Sequence, residues 1–509
     1  MKASVTLMSL LAALAPGSVV VAQPYETPPP AGAPRPAVIP APFVQTLGNG
    51  LRVIVVERKG LPLVTAELVI RSGTEADPAA LSGLADLTAT LLTKGTARRT
   101  APQIADAAEA LGGQLESGAG WHRSFVSMTV TRPQLAAALD LIADVTMHPR
   151  FAAAELERAR RLAIDGLNVS LAQPGTLAHL AAVRAAFGAS PYGHSAQGTP
   201  ASLARTRRAD VVTLHTRLYR PDNAALIFAG DIDPKDAVAL AQAAFGRWTR
   251  PATALPATSV SAAQPTARSP LAIAMAGAGQ AGVAMAMPTI ARAAPDYYAG
   301  QVANTILGSG YSSRLNQEIR IRRGLSYGVQ SQLDARRAGG TFSVSSQTKN
   351  ASAPEVVAVM LDEVARMGTA PPDADELAAR KLALIGGFSR SLETTEDLAG
   401  RLAALEANGV DLAELGRVIG KMDAVTASDV QAFANAHWRA GDLRIVVAGD
   451  APQFADGLRK AYPALLVIPQ TEVDWTRRGS PRPRRNSAFA RPSSRMIVVH
   501  ARQPRAAVR

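Results

Sequence analysis

The chain carries one stretch of sequence pattern twice, about 220 residues apart. Residues 210–231 read DVVTLHTRLYRPDNAALIFAGD, and residues 429–450 read DVQAFANAHWRAGDLRIVVAGD. Both have the same length, an aromatic-arginine step, which is Tyr219-Arg220 in the first, and an apolar strand that ends in Ala-Gly-Asp. Because solenoid repeats recur every roughly 20 to 50 residues, a period this long predicts two copies of one globular domain.

Shorter patterns indicate what each copy contains. Alternating apolar residues at 51–56 and 64–71 predict strands, and helical spacing at 101–111 and 155–167 predicts amphipathic helices. The alternating segments SFVSMTVT and GTFSVSSQT also lie apart by nearly the same offset as the repeated stretch. This mixture predicts the α+β class, with a mostly antiparallel sheet in each half, helices on one face and the halves facing each other across a cleft.

A segment rich in Pro, Ala, Ser and Thr separates the two copies. Residues 251–270, PATALPATSVSAAQPTARSP, have no apolar period, which is typical of a linker. We therefore predict an N-terminal domain at 23–250 and a C-terminal domain at 271–469.

The first residues have the pattern of a secretory signal peptide. Lys2 supplies the positive start, residues 5–15 form an apolar run, and the small residues up to Ala22 form a cleavage site. This run is shorter than the ~20 apolar residues that span a bilayer, and no later segment reaches that length without charges. We predict a signal peptide at 1–22 and a periplasmic protein that is not transmembrane.

The positive charge is concentrated at the C-terminal end. The net charge is +13, but ten arginines and no acidic residue follow Asp474, so the rest of the chain carries only about +3. Residues 470–509 are rich in Pro, Ser and Arg, which predicts a disordered basic tail rather than a nucleic-acid-binding surface. The absence of cysteine excludes disulfides, a thiol nucleophile and a cysteine-ligated metal.

Three patterns that suggest chemistry fail on their context. The glycine-rich run at 277–282 is followed by an alternating strand and Pro288, whereas a dinucleotide fingerprint requires a helix there. Ser195 lacks the final glycine of a nucleophile elbow because Gln197 stands in its place, so we predict a loop serine. No two of the seven histidines lie three to five residues apart, which argues against a helical zinc site.

The segment RIRRGLSYG places Arg320 and Tyr327 seven residues apart around a Gly-Leu-Ser break. Taken alone, it indicates a basic helix end followed by a strand, with Arg320 solvated and Tyr327 half-buried.

Three longer segments carry a resemblance that changes this interpretation. They are TLGNGLRVIVVERKGLPLVTAELVIRSGT, SPYGHSAQGTPASLARTRRADV and ILGSGYSSRLNQEIRIRRGLSYGV. Together with the duplication and the export signal, they resemble the M16 peptidase family, the group of pitrilysin and the mitochondrial processing peptidase, in its shorter bacterial branch. The resemblance covers roughly residues 42–469.

The resemblance implies that the zinc motif of this family is degenerate here. Active members carry His-x-x-Glu-His on an early helix, which is similar to SGLADLTATLLTKGT in this chain. Asp86 and Thr90 then stand at the histidine positions, Ala89 at the general-base glutamate, and Gly166 at about the third ligand. Alanine cannot activate water, and the other residues are poor zinc ligands. We therefore expect this chain to bind no zinc and to be inactive alone.

The resemblance assigns Arg320 and Tyr327 to the second functional element of the family. The pair would donate hydrogen bonds to the substrate carbonyl and to the oxyanion that forms when water attacks. Gly308 and Gly310 would allow substrate to approach nearby, although a simple turn explains them equally well.

A chain with the Arg/Tyr pair and without the zinc helix resembles the zinc-lacking subunit of a heteromeric metallopeptidase. Its partner would be an M16 homologue that carries His-x-x-Glu-His and the zinc, and its substrate a peptide. The peptide-binding sheet edge would lie at 112–120, where Glu116 and Ser117 replace the usual Asn-Ala. Two alternatives stay open: a non-catalytic envelope scaffold with this fold, and an independent peptidase with an unconventional metal site.

Overall fold

A computed structural model describes residues 40–256, 260, 263, 265 and 269–473. The predicted signal peptide, part of the predicted linker and all but the first four residues of the predicted tail lie outside these residues. Within the described part of the chain, no helix combines the length and the apolar content needed to cross a membrane.

The strands of the described residues form two sheets of six strands each. The strands are β1 (Phe43–Thr46), β2 (Arg52–Glu57), β3 (Leu63–Ile70), β4 (Glu116–Ala119), β5 (Ser124–Thr131), β6 (Ala224–Gly230), β7 (Leu271–Ala274), β8 (Ala281–Thr289), β9 (Ser326–Asp334), β10 (Gly340–Thr348), β11 (Arg444–Gly449) and β12 (Leu466–Pro469). The strand order is β1-β2-β6-β3-β5-β4 in the first sheet and β12-β7-β11-β8-β10-β9 in the second.

Helices connect and cover these strands. They are α1 (Leu84–Leu92), α2 (Ala101–Ala110), α3 (Leu135–Met147), α4 (Ala153–Leu171), α5 (Pro174–Phe187), α6 (Pro200–Arg205), α7 (Arg208–Leu218), α8 (Pro234–Phe245), α9 (Tyr297–Gly308), α10 (Ala353–Thr369), α11 (Ala374–Arg390), α12 (Thr395–Asn408), α13 (Glu414–Asp423), α14 (Ala427–His437) and α15 (Ala455–Ala461). The seven residues Asn316–Arg322 form a π-helical turn. The predicted α+β class, with mostly antiparallel sheets, is confirmed.

The two halves repeat one topology. The strand order β2-β6-β3-β5-β4 of the first sheet corresponds to β7-β11-β8-β10-β9 of the second. The repeated sequence stretches form α7 with β6 and α14 with β11, so each contributes a helix and the strand at an inner position of its sheet. The duplication read from the sequence is therefore a duplication of structure.

The glycine of the repeated Ala-Gly-Asp stands where another chain segment approaches closely. A Cβ on Gly230, which has φ +136°, would lie 2.2 Å from the carbonyl oxygen of Leu63 on β3. A Cβ on Gly449 would lie 2.6 Å from Oδ1 of Asn350 and 2.9 Å from Cα of Ala281. Close packing at the end of β6 and β11 thus requires glycine in both halves.

Each half sends one helix onto the sheet of the other half. Helix α5 of the first half packs on β8 and β11, and α12 of the second half packs on β3 and β6. Leu177 of α5 shares one core cluster with Ala284, and Leu402 of α12 shares another with Ile227. The predicted one-sided cover therefore holds for the helices of the same half, while the opposite face of each sheet carries the exchanged helix.

The exchange explains a glycine of the rejected dinucleotide pattern. A Cβ on Gly282 would lie 2.4 Å from the backbone nitrogen of Gly175, at the start of α5. Strand β8 begins at Ala281, within the glycine-rich run, so the predicted strand is confirmed at the place where a dinucleotide fingerprint requires a helix N-terminus. Ser195 lies in a loop, as predicted.

An ion pair fastens α12 to the first sheet. The carboxylate of Glu406, whose side chain is 7% exposed, lies 3.0 Å from Nε of Arg52 on β2. Nη1 of Arg71, at the end of β3, lies 3.6 Å from the same carboxylate. Because both arginines keep part of their surface in water, they avoid the full cost of desolvation, while the buried carboxylate is less screened by solvent than one in a surface salt bridge.

We expect Glu406→Gln to destabilise the fold by about 1–2 kcal/mol, because the two arginines lose the anion that they face. Thermal unfolding followed by circular dichroism measures the change. Glu396→Gln is the matched control, since Glu396 lies exposed on the same helix and should change stability by less than about 0.5 kcal/mol. Equal effects of the two substitutions would contradict a specific role of this ion pair.

Candidate functional site

The helix predicted to carry the degenerate zinc motif is α1, and hydrogen bonds fix its N-terminal end. Asp77 accepts hydrogen bonds from the backbone N–H of Gly83 (2.8 Å) and of Ala85 (2.9 Å). Burial raises the pKa of Asp77 well above its ordinary value, although these backbone hydrogen bonds act in the opposite direction. The predicted helix is therefore present and anchored, even though the residues at the predicted zinc positions differ from zinc ligands.

The structure brings two of the four predicted motif residues to one cavity. Asp86 and Thr90 lie one turn apart on α1 and line a space of about 390 Å³ together with Glu155 of α4. Ala89 is completely buried and does not line this cavity. Gly166 lies exposed on α4 and is not among the lining residues either.

These residues do not fit a zinc ion. Zinc in peptidases needs three nitrogen or oxygen ligands at about 2 Å, usually two imidazoles and a carboxylate. The α1 positions offer one carboxylate, on Asp86, whose pKa is raised by burial, and one hydroxyl, on Thr90. Across the residues that the structure describes, no three His, Cys, Asp or Glu side chains cluster in a way that could hold a metal.

The predicted peptide-binding edge forms the short strand β4 beside this helix. It is one of the two edge strands of the first sheet, opposite β1. Ser117 donates a hydrogen bond of 2.9 Å to the carbonyl oxygen of Ala89, which ties β4 to α1. Glu116 begins the strand and is exposed. Peptide binding at this edge stays a prediction.

Arg320 and Tyr327 lie in the second half, on a helix-to-strand segment of residues 316–329, which we call the Arg/Tyr segment. Arg320 belongs to the π-helical turn, Tyr327 to the start of β9, and the backbone N–H of Leu325 donates to the carbonyl oxygen of Ile319 (2.9 Å) between them. π-Helical turns are rare, and they occur frequently at functional sites. The exposure of Tyr327 is 88%, which corrects the half-buried position that the segment alone suggested.

The buried side chain of Asn316 holds the Arg/Tyr segment together. Its Nδ2 donates to the carbonyl oxygens of Gly310 (3.1 Å) and Val329 (2.7 Å), and also to Oγ of Ser313 (3.1 Å). Its Oδ1 accepts from the backbone N–H of Val329 (3.2 Å). One amide thus links the loop before the π-helical turn to the strand that carries Tyr327.

A β-bulge displaces Tyr327 from the regular register of β9. The pairing of β9 with β10 shifts between Ser346 and Thr348, which pair with Val329 and Ser326. Ser346 donates to the carbonyl oxygen of Gly328 (2.9 Å) and supports the bulge from β10. Bulges of this kind redirect a side chain, and they are enriched next to active sites.

The four residues that the sequence assigned to the second functional element line one cavity. Arg320, Tyr327, Gly308 and Gly310 all border an open space of about 780 Å³. Helix α5 of the first half adds residues such as His179 to its lining, so both halves build the cavity. None of the residues at the degenerate zinc positions borders it.

Local packing already accounts for the two glycines. A Cβ on Gly308 would lie 2.4 Å from the backbone nitrogen of Ser331, so the end of α9 reaches β9 only without a side chain. Gly310 has φ +87°, in the left-handed region that favours glycine. Their contact with substrate stays a prediction.

Tyr311 is a further residue of this site that was not predicted from the sequence. Its ring is 73% exposed and lies under the guanidinium of Arg320, 4.3 Å from the centroid to Cζ. A hydrogen bond from Arg320 lowers the pKa of the Tyr311 hydroxyl. An exposed aromatic residue directly after Gly-Ser-Gly was the available signal, but its contact with Arg320 depends on the turn geometry.

The family of the chain follows from two comparisons. Residues 52–199 match the family described as Insulinase (Peptidase family M16), and residues 206–384 match the Peptidase M16 inactive domain. An uncharacterized zinc protease of Mycobacterium tuberculosis is 30% identical over 406 residues, which cover 78% of this chain and 91% of that protein. The chain belongs to peptidase family M16.

Other M16-like proteins extend this similarity. An uncharacterized zinc protease of Bacillus subtilis is 22% identical over 394 residues, which cover 76% of this chain and 94% of that protein. The crystal structure of a peptidase M16 inactive domain from Pseudomonas fluorescens has a TM-score of 0.74 at 28% identity, with 80% of this chain and 98% of that chain covered. A protease from Helicobacter pylori gives 0.73 at 19% identity, with 81% and 100% covered, and shows the shared fold alone.

We expect Asn316→Ala to loosen the Arg/Tyr segment of this M16 protein, because the substitution removes the four hydrogen bonds of a buried amide. Stability should fall by about 2–3 kcal/mol, and amide hydrogen exchange should rise between residues 308 and 331. Gln317→Ala is the matched control, since Gln317 is the next residue of the same turn and lines a different cavity. Unchanged exchange in the Asn316 variant would contradict its positioning role.

Proposed function

We propose that this M16 protein is the zinc-lacking, substrate-positioning subunit of a heteromeric metallopeptidase, and that it acts in the periplasm. One observation carries the proposal: Arg320 and Tyr327 border one cavity to which both halves contribute, whereas the positions of the zinc motif in the same chain do not fit zinc. Under this proposal, the site that combines both parts would lie between two chains.

The exposure of Tyr327 supports a partner outside this chain. Its phenol has no hydrogen-bond or ring partner among the described residues, although a bulge and the Asn316 hydrogen bonds hold its backbone. The bulge at the start of β9 supports this role, because bulges redirect side chains and are enriched next to active sites. The proposed partner, an M16 homologue with His-x-x-Glu-His, would bring its own metal site to the Arg/Tyr segment.

In the assembled peptidase, a zinc ion held by the partner would provide an activated water and would polarise the substrate carbonyl. The residues of this chain then act as donors. The guanidinium of Arg320 and the hydroxyl of Tyr327 would hold the peptide carbonyl before attack and the oxyanion after it. Such donors are most effective when they are already oriented, and the π-helical turn and the bulge provide this orientation.

We expect peptidase activity only when this chain is co-expressed with an M16 homologue that has an intact zinc motif. Arg320→Ala and Tyr327→Phe should each lower kcat by about 10²- to 10³-fold, because a donor to the oxyanion is lost. Turnover of a quenched fluorescent peptide measures the activity of the purified complex.

Arg322→Ala is the control for this experiment. Arg322 lies on the same π-helical turn, pairs with Glu318 and lines another cavity, so its replacement should leave kcat within about twofold of the wild type. A complex that forms without any turnover would favour the scaffold function. Full activity of the double variant Arg320→Ala/Tyr327→Phe would contradict the proposed role.

We expect the purified single chain to contain no stoichiometric zinc after dialysis, because Asp86 and Thr90 cannot replace two imidazoles. Elemental analysis by inductively coupled plasma mass spectrometry measures the metal content. Tightly bound zinc together with activity of the single chain would favour an independent peptidase with an unconventional metal site.

A further inference from the structure

The side chain of Arg320 carries a positive charge that no carboxylate neutralises in the described part of the chain. It takes part in no ion pair with the described residues, and none of those that line the cavity of about 780 Å³ is acidic. Glu318, the nearest acidic residue in the sequence, pairs with Arg322 and Arg323 and lines a different cavity. The guanidinium therefore needs another partner to keep one orientation.

Tyr311 is that partner. Cζ of Arg320 lies 4.3 Å from the centroid of the Tyr311 ring, and the guanidinium also donates a hydrogen bond to the Tyr311 hydroxyl. A ring in this position attracts the cation through its π face. Because a tyrosine side chain rotates about two χ angles only, it restricts the longer arginine at a small cost in conformational entropy.

The loop before the π-helical turn fixes the backbone that carries this ring. Gly310, directly before Tyr311, has φ +87°, in the left-handed region that favours glycine. Its carbonyl oxygen accepts hydrogen bonds from Nδ2 of Asn316 (3.1 Å) and from the backbone N–H of Ser313 (3.2 Å). The backbone beside Tyr311 is therefore held in place even though the residue itself is exposed.

A ring contact suits an oxyanion site better than an ion pair would. A carboxylate occupies two N–H groups of a guanidinium in a bidentate pair, and it also cancels the positive charge. The contact with Tyr311 preserves the charge and uses one of the five N–H donors for the hydroxyl. The other donors of Arg320 stay available to a substrate oxygen.

We propose that Tyr311 is a positioning residue for Arg320: its ring holds the guanidinium in the orientation in which Arg320 binds the peptide carbonyl and the oxyanion. The proposal rests on the proposed function, since it takes the role of Arg320 from it. It adds a third side chain to the pair Arg320 and Tyr327. Tyr311 acts through Arg320 and does not itself donate to the substrate.

The contact is tested first in the purified full chain, without a partner. Nuclear magnetic resonance of protein that carries isotope-labelled tyrosine follows the phenol of Tyr311, which the spectrum of Tyr311→Phe identifies. Because Arg320 lowers the pKa of this phenol, we expect Tyr311 to titrate at lower pH in the wild type than in Arg320→Gln. Equal titration in these two proteins would overturn the proposal.

Arg322→Gln is the control for the titration. Arg322 lies on the same π-helical turn as Arg320, but it pairs with Glu318 and lines another cavity. Its replacement should leave the titration of Tyr311 unchanged. A shift as large as that of Arg320→Gln would mean that general surface charge, and not the ring contact, acts on Tyr311, which would also overturn the proposal.

The effect on catalysis is measured in the complex with a zinc-bearing homologue. We expect Tyr311→Leu to lower kcat by about 5- to 30-fold, because a cation–π contact is worth more when the site is covered. KM should change less than kcat, since the donor is needed most when the oxyanion has formed. Tyr311→Phe keeps the ring and should lower kcat by no more than about threefold. Equal losses in the Leu and Phe variants would contradict a role of the ring.

A double-mutant cycle shows whether Tyr311 acts through Arg320. In the Arg320→Ala background, Tyr311→Leu should lower kcat by less than about twofold further, because the group that the ring holds is already absent. Additive losses would overturn the positioning role, since Tyr311 would then contribute independently of Arg320. A loss restricted to the affinity between the chains would assign Tyr311 to the partner contact and would overturn it as well.

The outcomes separate this proposal from the proposed function. Additive losses in an active complex would reject the role of Tyr311 and leave the subunit function intact. Absence of turnover with every zinc-bearing homologue would reject the subunit function and, with it, the positioning role, even where the titration shows the contact with Arg320.

Discussion

The exchange of α5 and α12 between the two halves is the contact on which the rest of the structure depends. A sheet in this fold has apolar residues on both faces, and the helices of its own half cover only one of them. Burying the second face requires an amphipathic surface, and each half provides it for the other. Separating the halves would therefore expose two apolar sheet faces to water, so the repeats are stable only together.

The candidate site inherits its construction from this exchange. Helix α5 reaches the second sheet beside Gly282, and its residues then border the cavity that contains Arg320 and Tyr327. The other parts of the site are local, because Asn316 and the bulge near Ser346 hold the Arg/Tyr segment from within the second half. The cavity thus combines the Arg/Tyr segment of the second half with residues of α5 from the first half. The degenerate motif on α1 contributes no residue to it.

Much of the fold could be predicted because it is encoded in short-range pattern. The repeat, the strands β2, β3, β5 and β10, and the helices α2 and α4 follow from the periodicity of apolar residues. The loss of zinc ligands at Asp86 and Thr90 was also readable, since ligand chemistry depends on residue type. Tyr311 and the π-helical turn were not, because backbone hydrogen bonding decides which residues of a turn share one side.

The sequence by itself determined the composition of each half, the M16-like character and the spacing of Arg320 and Tyr327, because periodicity and residue type act over a few positions. Only the tertiary structure decided that α5 and α12 change sheets, that Asn316 binds the backbone of Val329 on the outer strand β9, and that Gly308 and His179 border one cavity. These features join residues far apart in the chain. Their energies come from the packing of complete surfaces, which no single segment contains.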